Sequence, residues 1–146
     1  MKRQIQVLLA VACVMLSVSQ VQARDSIANY SIDDAIKSDP SKIGEDVTLY
    51  FAGQPHPAAA QSFGEAATNK KTNGFGKSDL EACQRVFLSA LIELQERARK
   101  DGGNAVINIK SNYKNELHES ATEFVCGSGA VISGVALKGD VVRVSK

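Results

Sequence analysis

Residues Ser78 to Lys100 constrain the fold more than any other stretch. Leu80, Cys83, Phe87, Ala90, Leu91, Leu94 and Ala98 recur within about a 100° arc at 3.6 residues per turn. Arg85, Glu93, Glu96 and Lys100 fall on the other side. Ser78 and Glu81 form an S-x-x-E capping box, in which the hydroxyl and the carboxylate each satisfy a backbone donor of the first turn. Asp79 and Glu81 suit the positive end of the helix dipole, and Arg97, Arg99 and Lys100 suit the negative end. Gly102 and Gly103 supply the stop. A helix with one apolar stripe must bury it against another layer.

The flanking segments supply that layer. "DVTLYFAG" alternates Val47, Leu49 and Phe51 against Thr48 and Tyr50, a period-2 strand ended by Gly53. "NAVINIKSNY" sets Val106, Asn108 and Lys110 against Ile107 and Ile109. "ATEFVCGSGAVISGVALKG" reads as one long strand, or two joined by a bulge at Gly127 and Gly129. Its glycines serve close packing, with a ligand-cradling loop as the functional alternative. Lys138 to Asp140 reads as a turn into a last short strand, "VVRV". The expected fold class is α+β: one amphipathic helix on one face of a small antiparallel or mixed sheet, forming a single domain over 47–146.

Two regions read as non-core. Segment 24–46 is polar, with a short helical signal at "SIDDAIKS", where Ser31 is the N-cap and Pro40 the stop. Segment 53–77 is rich in Pro, Gly, Ala, Asn and Thr and reads as a long surface loop. Its Lys70, Lys71 and Lys77 make a candidate docking surface for an acidic partner.

The first 23 residues are set apart. Lys2 and Arg3 precede an apolar run from Val7 to Val18, and Val21-Gln22-Ala23 is a small-x-small cleavage signal. This is the anatomy of a secretory signal peptide, cut between Ala23 and Arg24. The run is shorter than the roughly 20 residues that span a bilayer, so no stable span is expected after processing. Cys13 is the alternative cleavage point, with lipidation, but the apolar run continues past it. The expected location is the periplasm.

Processing removes two bases and leaves fifteen against sixteen acids, a net charge near −1. Without a basic field, and without Trp for stacking, nucleic acid is not an expected partner. Cys83 and Cys126 remain, and an even count in an exported small domain reads as one disulfide. Such a bond would staple the helix to the strand bearing Phe124. Closing a loop of about 44 residues contributes on the order of 4 kcal/mol in the chain-entropy model.

"NGFGKSDLEACQ" imitates the tail of a nucleotide-binding P-loop through Gly76, Lys77 and Ser78. That motif wraps phosphates in backbone N–H groups and needs an earlier glycine, where Lys71 stands. Asp79 and Glu81 also repel a polyphosphate at this helix start. No cofactor is expected. His56 in "QPHP" and His118 in "NELHES" are the only histidines, both in polar loops. With Glu116, Glu119 and Glu123 nearby, they are weak metal-ligand candidates. No nucleophile–base pair is visible.

"NKKTNGFGKSDLEACQRVFLSALIELQERA", "GGNAVINIKSNYKN" and "GVALKG" resemble a group of small exported proteobacterial proteins often labelled "excinuclease ATPase subunit". The resemblance runs from about Val47 onward. The label implies DNA repair and ATP, which the incomplete motif and the export signal do not support. The order of helix, "GGNAV", strand and cysteine-bearing strand is similar in layout to the periplasmic domain of the Rcs envelope-stress sensor lipoprotein, and to the YbjQ-like putative heavy-metal-binding family. These resemblances imply a compact α+β domain and envelope sensing. The chain differs from the sensor in keeping two mature cysteines and lacking a strong lipidation signal.

The expected function is a non-catalytic periplasmic or envelope-associated module that binds a protein or small ligand. A metal-binding accessory protein using His56 and His118 is the alternative, and an enzyme of unknown class the third reading.

Overall fold

The computed structural model describes residues 25–145. The segment read as a signal peptide, with Cys13 and the Ala23–Arg24 junction, lies outside the described residues. Strand β1 (Asp25–Ser31) leads into helix α1 (Ile32–Ser38) and a 3-10 turn, Pro40–Lys42. Strands β2 (Thr48–Phe51) and β3 (Ala59–Asn73) precede the long helix α2 (Asp79–Asp101). Strand β4 (Ala105–Ser111), a 3-10 turn at Tyr113–Asn115, and strands β5 (Glu123–Gly129) and β6 (Ile132–Val144) complete the chain.

The α+β class holds, with two helices on a mixed six-stranded sheet. The sheet runs β1-β5-β6-β4-β2, and β3 pairs with β6 as well. Strand β3 occupies one edge of β6 from Ile132 to Val144. The other edge is shared: β5 pairs at Ser133 and Gly134, and β4 from Leu137 to Val142. The sheet therefore forks along β6. Strand β2 runs parallel to β4, and the remaining pairs are antiparallel.

Helix α2 begins and ends as its residues dictate. Ser78 Oγ accepts from the Glu81 N–H at 3.1 Å. Gly102 adopts φ 89°, a left-handed conformation open to glycine, and its N–H closes the last turn on Ala98 and Arg99. Cys83, Phe87, Ala90, Leu91, Leu94 and Ala98 are buried, as are Ala82, Val86 and Leu88. Leu80 is not part of the stripe. It is half exposed at the same end of the molecule as Phe75, Val131 and Ile132. The Cys83–Cys126 disulfide forms, with Cα atoms 5.9 Å apart, and joins the second turn of α2 to β5.

Four expectations are corrected. Segment 53–77 is mostly strand: Ala59–Asn73 pairs with β6 along its length, leaving only short connections at either end. Its alanines, asparagines and lysines have weak β propensity. Pairing with a 13-residue neighbour supplies the order that composition does not. The described part of segment 24–46, residues 25–46, belongs to the domain. Strand β1 pairs with β5 throughout, and α1 buries Ile32 and Ala35 in the core. Ser31 caps α1 as expected, accepting from the Asp34 N–H. Lys138 to Asp140 is not a turn but the middle of β6, held by β3 on one side and β4 on the other. Finally, the alternation in β4 breaks at Asn108, whose φ of 55° makes a bulge. Val106 and Ile109, three apart, both reach the core.

Gln95 is the exception on the buried face of α2. Its amide is 1% exposed and fully used: Oε1 accepts from Gly44 N–H at 3.1 Å, while Nε2 donates to the Gly44 and Val47 carbonyls at 2.8 Å each. It thereby ties the segment entering β2 to the helix. Gln95→Leu should cost about 2 kcal/mol in urea unfolding, because buried backbone groups lose their partners while the volume is kept. A change below about 0.5 kcal/mol would show that water takes over those groups.

Candidate binding groove

The glycine-lysine-serine stretch can be judged from its donors. Gly74 N–H donates to Val131 O at 2.6 Å, Phe75 N–H to Asn73 Oδ1 at 2.8 Å, and Lys77 N–H to Gly74 O at 3.1 Å. Lys77 Nζ turns back onto Asn73 O at 3.3 Å. Three of the N–H groups in this stretch, those of Gly74, Phe75 and Lys77, are thus engaged within the molecule. What resembles a P-loop is a turn joining an edge strand to a capped helix.

The three candidate lysines do not converge. Lys70 lies on the α2 face of β3, with Nζ 2.5 Å from Glu93 Oε2. Donating to the Glu93 carboxylate raises the Lys70 pKa above its ordinary value. Lys71, the next residue, lies on the opposite face of the sheet, near Gly134. Lys77 sits in the connection beyond the strand. A single docking surface built from all three is not what the fold presents.

The histidines are also separate. His56 is exposed, with Nδ1 2.8 Å from Pro57 O and its ring 5.8 Å from Tyr50. His118 pairs backbone to backbone with Ser111. Glu119 makes an ion pair with Lys110 at 3.5 Å. Among the described residues no group of three or more His, Cys, Asp or Glu side chains is placed to hold a metal. Among them, too, no helix is long and apolar enough to cross a membrane.

The glycine-rich strand has a different occupant from the one expected. A Cβ on Gly127 would lie 2.0 Å from the Tyr113 hydroxyl, and Gly134 is its cross-strand partner. The Tyr113 ring fills the space these two glycines leave, on the face of the sheet away from Cys126 and α2. The glycines bring a side chain of this chain close to the backbone, and helix packing is not their purpose.

A groove of about 530 Å³ lies between α1, its following turn and α2. Leu88 and Ile92 form an apolar floor, and Asp39, Lys42, Glu81 and Arg85 stand around it. Glu81 and Arg85 are one turn apart at 3.8 Å, and Ser41 Oγ donates to Asp39 Oδ1 at 2.6 Å. The groove thus offers both signs of charge around a small apolar strip. Ser38, Gln84 and Ser89 complete its lining. Nearby, Arg99 makes a two-pronged contact with Asp46 at 2.6 and 2.8 Å. That hydrogen bonding holds the Asp46 carboxyl below its ordinary pKa.

The sequence reading did not find this groove. "SIDDAIKS" announced α1, but nothing local said that it would lie against Leu88. Compared with known protein families, with curated proteins and with solved structures, the chain matches none.

Proposed function

We propose that this chain is an exported, disulfide-stapled, non-catalytic binding module of the cell envelope, and that its working surface is the groove between α1 and α2. The observation that carries this is the groove's make-up: an apolar strip from Leu88 and Ile92, rimmed by Asp39, Lys42, Glu81 and Arg85. Such a lining suits an extended polypeptide segment, which brings apolar side chains and charges of both signs together. Export is supported by the amino-terminal pattern and by the buried disulfide, since such bonds persist in oxidising compartments.

The test is site-specific photocrosslinking in cells. A photoreactive residue replacing Ser89, which is exposed on the groove wall, should give a discrete adduct in periplasmic material whose first residue is Arg24. Lys42→Glu with Arg85→Glu should remove that adduct while leaving the unfolding midpoint unchanged, because both are exposed. An adduct that survives both substitutions, or protein recovered with Met1 intact in the cytoplasm, would overturn the proposal.

A further inference from the structure

We infer that two copies of this chain pair edge to edge through β3 about a two-fold axis at Thr68. Among the described residues β3 pairs only with β6, so its outer edge presents unpaired backbone groups. From Glu65 to Lys71 the register with β6 is regular, without a bulge or a proline. Edges of this kind are templates for another strand. They are normally blunted by charge, yet Lys70 is already neutralised by Glu93.

The charges of β3 select the partner and the register. Its only acid is Glu65 and its only bases are Lys70 and Lys71. Ala66, Thr68 and Lys70 lie on the α2 face, so Glu65, Ala67, Asn69 and Lys71 lie on the other. In a continuous antiparallel sheet with the axis perpendicular to it, opposed residues share a face. Residue i then meets a residue an even number of positions away. One register alone places the acid opposite a base: Thr68 opposite Thr68, and Glu65 of each copy opposite Lys71 of the other. Lys71 makes no ion pair among the described residues, and Glu65, 53% exposed, reaches only Lys138, at 3.7 Å. Both are therefore available across the axis.

Thr68 stands on that axis and is 6% exposed, so the contact at the centre is made by backbone. Above the edge, Ala66 and Ala67 leave an open notch of about 210 Å³ against α2, rimmed by Glu93, Glu96, Arg97 and Lys100. A rim of both signs is complementary to its own copy. Strand β1, the other long edge, has one acid and no base, and so lacks a self-complementary register.

Sedimentation equilibrium on the protein as purified from cells tests this, at micromolar to millimolar concentration. Wild type should show a monomer–dimer equilibrium. Glu65→Lys and Lys71→Glu should each weaken it about tenfold or more, and the double exchange should restore it. Both positions are exposed, and circular dichroism checks that each variant is folded. Amide exchange over 65–71 should slow as concentration rises. A wild type that stays monomeric, a double exchange no tighter than the single variants, or a dimer whose β3 amides exchange at the monomer's rate would each overturn the inference.

Discussion

Replacing Cys83 and Cys126 together with alanine lowers the unfolding free energy by about 4 kcal/mol, and the loss is concentrated in β1 and β5. The chain-entropy term for a bridge spanning 43 positions gives that size. The place of the loss follows from topology. Among the described residues, strand β5 joins the rest of the sheet at only two register positions, Gly127 with Gly134 and Ser128 with Ser133, and strand β1 pairs with β5 alone. The β1–β5 ribbon is thus a flap held by a short seam, by Val125 N–H donating to Ser111 Oγ at 3.0 Å, and by the disulfide from β5 to α2. Urea unfolding of wild type with and without reductant, beside the double-alanine variant, measures the total. Amide exchange measures its distribution, and protection should fall first in 25–31 and 123–129. A loss below about 1 kcal/mol, or one spread evenly over the sheet, would show that core packing alone holds the ribbon.

What was legible in the sequence follows the same division. Helix α2 was readable because its determinants are local: a cap at Ser78, a stop at Gly102 and an apolar stripe between them. Strand β2 was readable from alternation, and the disulfide from cysteine number and context. Strands β1 and β3 were not, because both are edges made mostly of polar or small residues, unlike the edge strand β2, which alternates. An edge strand can be polar on nearly every residue, and its order comes from a partner distant in sequence. For β3 that partner is more than fifty positions away, as with Asn73 and Ile132. The bulge at Asn108 was hidden for another reason. Only a residue tolerating positive φ distinguishes "VINIK" with a bulge from regular alternation, and asparagine also occurs in plain strands. The groove needed the packing of α1 on α2, a tertiary fact with no local signal. The three lysines looked like one surface because they are close in sequence, yet the pleat sends Lys70 and Lys71 to opposite faces.

Phe87→Ala should be the most damaging single substitution in α2, at about 3–5 kcal/mol. Phe87 is fully buried and stacks on Phe124, with centroids 3.9 Å apart and planes 8° from parallel. Its ring also lies 6.0 Å from Phe51 of β2, and Phe124 lies 5.9 Å from Tyr30 of β1. One side chain therefore connects the helix to both arms of the forked sheet, and its loss leaves a cavity that no single arm can close. Part of the cost belongs to the pair. A double-mutant cycle with Phe124→Ala should give a coupling of about 0.5–1.5 kcal/mol. Phe75→Ala, on a residue 74% exposed, should stay within about 0.5 kcal/mol and serves as the control. The stack and the disulfide both fasten β5 to α2, one turn of helix apart. Losing both removes about 7–9 kcal/mol, which is comparable to the whole stability of a small domain. Phe87→Ala should consequently fold when oxidised and be largely unfolded at 25 °C in reductant, as read by circular dichroism. A reduced variant that keeps wild-type helix content would show that β6, with β3 and β4, carries the fold without the ribbon.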